Sequence, residues 1–268
     1  MRTEPIDKRV RGLVGDTVVV DTLRPLLFWE DDFPVPNYAF LPADVRTDLL
    51  VPTQADVTRT EPSPRFDFFA AQGPVAQLYD LVVGDRTLAN AAWQRDDPAL
   101  ADRIVFSWRP GLLDRWLEES EEVGGHPRDP HKRVEALASD RHVVVSLGDP
   151  ASGGVVLAET RRPVLLFETG LPTRFYVPEE DVSAEALEPG RAHSFCPYKG
   201  TADRYWSVRG RPDATDIAWS YSAPFPAVGK IAGRVAFYNE VVDVTVDGVM
   251  LERPDSPFAR RAHRPAGE

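Results

Sequence analysis

The stretch Cys196-Pro197-Tyr198-Lys199-Gly200, just past His193, gathers a thiol, a phenol, an amine and an imidazole within a few residues. A nucleophilic thiol needs a nearby base or cation. In extended backbone His193 and Cys196 point to opposite faces, so the alternative reading of Cys196 is a buried structural thiol. Glu168 closes the apolar run Val164-Leu165-Leu166-Phe167. If Glu168 and Lys199 face one cavity, the amine holds the carboxylate ionised while burial opposes it, giving an acid/base pair or a clamp for a polar ligand. Arg174, Tyr176, Cys196, Tyr198, Tyr205, Trp219, Tyr221 and Tyr238 are the candidate ligand-binding residues around that pair. Aromatic rings offer an apolar body, often with a polar tip. The competing account makes these aromatics ordinary core.

A second candidate is basic. His126-Pro127-Arg128-Asp129-Pro130-His131-Lys132-Arg133 is followed closely by Arg141-His142. Arg128, His131, Arg133 and Arg141 could receive an anion, since a guanidinium presents a planar hydrogen-bonding fork. The alternative is local charge pairing with Glu118 to Glu122. A metal site is not expected: Cys196 is the only cysteine, and the prolines deny His126 and His131 a regular helical spacing. The chain carries no phosphate loop, dinucleotide fingerprint or nucleophile elbow, and no cofactor is expected.

The elements that position these residues occur twice. Asp21-Thr22-Leu23-Arg24-Pro25-Leu26-Leu27-Phe28-Trp29-Glu30 returns as Glu159-Thr160-Arg161-Arg162-Pro163-Val164-Leu165-Leu166-Phe167-Glu168. Tyr38 and Asp44-Val45 are echoed by Tyr176 and Asp181-Val182. Without a gap, Tyr79, Val82, Gly84 and Ala92-Trp93 match Tyr205, Val208, Gly210 and Ala218-Trp219. On that count Ala70 and Gly73 stand opposite Cys196 and Lys199, and Arg95 opposite Tyr221, while the match of Ala101 to Phe106 with Ala232 to Phe237 sets Ser107 opposite Tyr238. Two related domains in tandem follow, with differences between copies marking optional chemistry. Residues 1–147 form the divergent N-terminal repeat. Residues 148–268 form the C-terminal repeat, with the division in the turn around Gly148-Asp149-Pro150.

Short apolar runs broken by prolines read as strands, including Val18 to Val20, Leu26 to Trp29, Val155 to Ala158 and Val164 to Phe167. Proline-rich connectors such as Pro62 to Pro64 separate them, and Arg260 to Glu268 lacks apolar residues and reads as a frayed end. One stretch differs. From Gly111 to Val123, Leu112, Leu113, Trp116 and Leu117 fit one face of a short amphipathic helix ending at Gly124-Gly125. The fold class is therefore mainly β, with one helix in the first copy.

The formal net charge of −11 opposes non-specific binding to nucleic acid or an anionic membrane. No apolar run approaches the length of a membrane span, and the lone cysteine forms no intrachain disulfide; a cytoplasmic location is expected.

Several motifs in order carry a resemblance: Pro163 to Tyr176, Cys196 to Gly200, Tyr205-Trp206-Ser207-Val208, Ala218-Trp219-Ser220-Tyr221 and Val235-Ala236-Phe237-Tyr238. They resemble the domain-of-unknown-function family number 427. Leu113 to Glu119 and His126 to Pro130 resemble the divergent partner domain of two-domain members. The resemblance implies a β-tent-like fold. Relatives of that fold often hold zinc through paired cysteines, which the lone Cys196 does not supply. The expected function is small-molecule binding in the C-terminal domain, with cofactor-independent acid/base chemistry of the lyase, isomerase, cyclase or hydrolase kind. The alternative is a non-catalytic protein- or peptide-binding module using both domains.

Overall fold

A computed structural model describes residues 1–31, 35–53, 74–100 and 102–256. The expected connector Pro62 to Pro64, the positions Ala70 and Gly73, and the tail Arg260 to Glu268 lie outside the described residues. The protein is mainly β, and its helical segments among the described residues are short 3-10 turns, such as Glu179–Asp181 and Pro226–Ile231. It divides into two units, Met1–Pro130 and His131–Glu268.

The first unit contains a seven-stranded antiparallel sheet and a four-stranded one. In the large sheet Leu26–Trp29 pairs with Asn37–Phe40, which continues through Ile104–Phe106 to the long hairpin Val75–Val83 and Arg86–Arg95. Inward residues of both sheets, among them Val10, Leu27, Tyr38, Phe40, Phe106 and Trp116, form the main core. The other face of the large sheet buries a smaller cluster of Phe28, Ala39, Trp93, Leu100 and Val105. Alternation of side chains along each strand is what feeds two cores from one sheet.

The expected helix from Gly111 to Val123 is instead a β-hairpin. Arg115–Glu118 pairs with Glu121–Val123 on one side and with the Val10–Val14 strand on the other. Trp116 and Glu118 point inward two residues apart. Buried Glu118 disguises this strand period, because an acidic residue reads as a solvent face in sequence. Its carboxylate is satisfied: it accepts from the Tyr38 hydroxyl at 2.7 Å, the Arg128 backbone N–H at 3.0 Å and Lys8 Nζ at 3.0 Å.

The second unit repeats the plan in smaller sheets. Val164–Glu168 pairs with Arg174–Tyr176, and Arg204–Val208, Ala218–Ser220 and Val235–Phe237 form a ladder beside Leu187–Pro189. Val143–Leu147 and Val155–Thr160 form the expected hairpin, with Asp149 accepting from the Ala151 N–H at 2.9 Å. Both strands belong to this unit, however, and Val134–Ala138 also pairs with Val164–Glu168. The division therefore falls at Pro130/His131, before the 147/148 boundary expected from sequence.

Local devices recur in both units. Thr22 donates to Asp44 at 2.7 Å, and Thr160 donates to Asp181 at 2.7 Å. Volume is exchanged where residues differ. Gly12 faces Trp116 across one ladder, whereas Val145 faces Val244 at the matching place. A Cβ on Gly12 would stand 2.9 Å from the Trp116 ring and 2.6 Å from Leu113, so the large indole requires the glycine.

Candidate functional site

Strand register corrects the alignment of the two copies. Leu26 pairs with Ala39 in the first unit, while Val164 pairs with Tyr176 in the second. Leu26 and Val164 are equivalent, so the counterpart of Tyr176 is Ala39, and Tyr38 corresponds to Phe175. The second tyrosine echo slips in the same way. Trp93 pairs with Leu78, and its counterpart Trp219 pairs with Tyr205. Core membership agrees: Tyr38 lies in the main core as Phe175 does, whereas Tyr176 and Tyr205 lie in the smaller one with Trp219. A one-residue slip moves a side chain to the opposite face. The positions of Tyr176, Tyr205, Tyr221 and Tyr238 are thus held by Ala39, Leu78, Arg95 and Ser107 in the first copy.

The second copy's smaller core is where the candidate residues meet. Glu168 ends its strand and accepts a hydrogen bond from Lys199 Nζ; the two side chains are 4% and 11% exposed. Lys199 arrives from the turn of a hairpin, Ser194–Cys196 and Gly200–Ala202, which pairs only with itself among the described strands. The Lys199 N–H donates to the Cys196 carbonyl at 3.2 Å, closing a tight turn, and Gly200 supplies the positive φ of 96° that follows. Tyr198 and Cys196 are half-buried in that turn, and His193 is exposed before it.

Trp219 is the centre of the aromatic wall. Its Nε1 donates to the Tyr176 hydroxyl at 3.3 Å, and its ring lies 4.4 Å from that of Tyr238. Burial pushes the Tyr176 and Tyr221 hydroxyls well above the ordinary phenol range, and the neighbouring acidic groups Glu168 and Cys196 push them further. Both phenols therefore stay protonated, as hydrogen-bond donors beside a carboxylate. The Tyr205 hydroxyl reaches Ser194 Oγ of the hairpin at 2.7 Å.

Arg174 plays a different part from the ligand-binding one expected. It is buried, grips Glu240 with two bonds of 2.6 and 2.7 Å, and also donates to Asn239. Its guanidinium lies 5.6 Å from the ring centres of Trp219 and Tyr238, so it holds the aromatic wall from outside. Burial alone would raise the Glu240 carboxyl, but the hydrogen bonds and charge of Arg174, with a further bond from Ser256, hold it below its ordinary value. Sequence reasoning missed Ser194, Asn239 and Glu240. Comparing copies offers the signal, because Trp108-Arg109 stand where Asn239-Glu240 follow Tyr238.

The basic candidates divide among separate carboxylates. Arg128 pairs with Glu121 at 3.1 Å, as the charge-pairing alternative requires. Arg133 bonds to Glu135 at 2.5 Å and Arg141 to Asp247 at 2.9 Å, while His131 is exposed. An open groove of about 520 Å³ occupies another part of the second unit, lined in part by Glu188, Arg191, Arg211, Thr215 and Asp216. Its Arg211 is clamped by Asp213 at 2.7 Å, and Asp216 accepts from the Arg191 N–H. The groove contains none of the residues that differ in chemistry between copies at the smaller core, so the candidate site remains the Glu168 cluster. Among the described residues no group of His, Cys, Asp and Glu has the make-up of a metal site. No helix there is long and apolar enough to cross a membrane.

Residues 2–117 and 135–248 each match the family described as a domain of unknown function (DUF427). The chain belongs to that family. Both copies are members, so the duplication read from strand register and the family assignment coincide. No curated protein matches the chain.

Proposed function

We propose that the second domain binds a small organic molecule at the Glu168 cluster, and that Glu168 acts there as the acid/base with Lys199 as its electrostatic partner. The observation that carries this reading is the difference between copies. Four phenols belong to one small core, two of them, Tyr176 and Tyr221, near enough to Glu168 to feel its charge, at positions where the first copy has Ala39, Leu78, Arg95 and Ser107. A fold that holds an arginine and three small or aliphatic residues there has four phenols in the second copy, and protonated phenols near a carboxylate suit hydrogen bonding to a bound molecule whose proton Glu168 exchanges. Cofactor-independent lyase, isomerase, cyclase or hydrolase chemistry fits these groups. The first domain serves as the structural partner, since its matching carboxylate Glu30 is held by Arg95. A reducing compartment, the cytoplasm, suits a protein that keeps Cys196 as a free thiol.

A thermal-shift screen of small metabolites against the wild-type chain and Glu168→Gln tests the proposal. A ligand at about a hundred times its Kd adds ~2.7 kcal/mol to the stability of the domain that holds it. The expected result is a hit whose stabilisation disappears in Glu168→Gln. Hits that stabilise both proteins equally would place binding elsewhere.

A further inference from the structure

The copies also differ at one sheet edge, away from the Glu168 cluster. Arg115–Glu118 and Asp243–Val246 occupy the same place in their four-stranded sheets, since Glu118 faces Val10 and Val246 faces Val143, the first residues of equivalent strands. Each turns back through two residues, so that Glu118 pairs with Glu121 and Val246 with Val249. Both return strands are sheet edges among the described strands. Glu121, Glu122 and Val123 therefore stand where the second copy has Val249, Met250 and Leu251.

The first copy finishes its edge for water. Val123 is buried and both glutamates are exposed, and charges on an edge keep another strand from adding to it. In the second copy Val249 is 65% exposed, Met250 55% and Leu251 38%. These side chains are apolar and consecutive, with no charge among them to repel an incoming strand. Their backbone is ready as well. The Leu251 N–H donates inward to the Val244 carbonyl at 2.8 Å, so strand alternation turns the N–H and carbonyl of Met250 outward.

We propose that Val249, Met250 and Leu251 form a self-association edge, and that its partner is the same edge of a second copy of this chain, paired antiparallel about a two-fold axis at Met250. Three features select that occupant over an unrelated strand. An outward-facing residue on the axis exchanges both backbone bonds with its own mate, as a hydrogen-bonded antiparallel pair does. The same register sets Val249 opposite Leu251 of the second copy, twice. Val249 and Leu251 oppose the buried Val246 and Val244, so they lie on the core face of their sheet and the pairing carries that apolar face across the axis. Finally, the register sets Asp247 opposite Arg253 of the second copy, also twice. Asp247 already holds Arg141 at 2.9 Å, and Arg253 already holds Asp243 at 2.8 Å. Pairing joins them into a row of alternating charge, Arg141, Asp247, Arg253, Asp243, whose middle contact crosses between the chains.

Analytical ultracentrifugation of the full chain from about 1 μM to about 1 mM tests the proposal, because an interface this small associates weakly. A monomer–dimer equilibrium is expected. Val249→Glu combined with Met250→Glu imports the first copy's edge, sets like charges against one another and should weaken the dimer at least about tenfold, with the melting temperature of the dilute monomer unmoved. Met250→Cys tests the register independently of that variant. The Cα atoms of a hydrogen-bonded antiparallel pair stand about 5.5 Å apart, within the span a disulfide bridges. Oxidation is expected to join two Met250→Cys chains through that position, as read by mass spectrometry, while Val18→Cys, at an exposed site of the first domain, stays unlinked. A chain that remains monomeric throughout the range would overturn the proposal, as would a dimer indifferent to the paired glutamates. Species growing beyond the dimer would mean head-to-tail pairing with the opposite edge of the sheet, Val155–Thr160, and would overturn the two-fold arrangement.

Discussion

Glu30 and Glu168 end equivalent strands, carry equivalent carboxylates and are each held by one buried cation, yet the cations come from unrelated places in the fold. In the first domain Arg95 closes the arrangement from inside the sheet. In the second, Tyr221 takes the arginine's position and Lys199 reaches in from a separate hairpin. A fold can thus retain a charge while exchanging what neutralises it. Neighbouring positions changed too, with Tyr176 replacing Ala39. Trp93 illustrates the effect of that exchange in reverse: its buried Nε1 has no hydrogen-bond partner among the described residues, while Trp219 donates to Tyr176. The first copy is the packing solution, and the second places polar groups around the same tryptophan.

The comparison can be broken most severely at Arg174, whose counterpart by register is Asn37. Arg174→Ala leaves Glu240 buried and unpaired, and is expected to cost the second domain about 3–5 kcal/mol. Asn37→Ala in the first domain should cost well under half of that. Urea unfolding followed by tryptophan fluorescence measures both, and equal losses would mean that the Arg174 network is not the special support of the second copy. A more pointed exchange is Lys199→Ala combined with Tyr221→Arg, which imports the first domain's solution. Lys199→Ala alone is expected to destabilise by about 3 kcal/mol, and the added arginine to restore at least half of that loss. Stability without recovery of small-molecule binding would sharpen the contrast between the copies; no recovery of stability would deny that Arg95 and Lys199 are interchangeable counter-ions.

Acid should separate the copies by a smaller amount. The Glu240 carboxyl lies below its ordinary value of 4.5 when folded. Below that ordinary value the unfolded chain takes up the proton first, so stability present above it is lost as pH falls toward the folded pKa. Glu240→Gln is expected to flatten the second domain's stability between about pH 5 and pH 3, a range set by carboxylate titration. A slope unchanged in the variant would assign it to other acids. Tyr176→Phe should cost about 1 kcal/mol, the value of one buried hydrogen bond, because it makes Trp219 resemble Trp93. The smallest effect belongs to Arg141→Ala at the surface, about 0.5 kcal/mol or less.

Much of this organisation was legible in the sequence, though not always for the reason it seemed. The duplication and the strands around Pro25 and Pro163 followed from residue types in order, whereas the meeting of Glu168 with Lys199 was only a condition until the fold supplied it. The tyrosine echoes misled. Tyr38 and Tyr176 look equivalent because a one-residue difference in the loop before them cancels in a gapless reading, and only ladder pairing reveals opposite faces. Glu118 misled by its charge, since its partners Tyr38 and Lys8 are far away in sequence. The Arg174–Glu240 contact was similarly hidden. Neither residue lies near the other in the chain, and nothing in a lone Asn239-Glu240 pair states that it faces inward.

The shift between apparent and true tyrosine positions also governs how the two domains could exchange parts. A crossover placed at Tyr38 and Tyr176 would join strands one residue out of phase and turn the grafted side chains inside out. The shared Thr–Asp contacts, Thr22 with Asp44 and Thr160 with Asp181, flank the strands on which that shift occurs. They are therefore natural seams: a cassette cut between them would carry its own loop length and keep the grafted side chains on their proper faces.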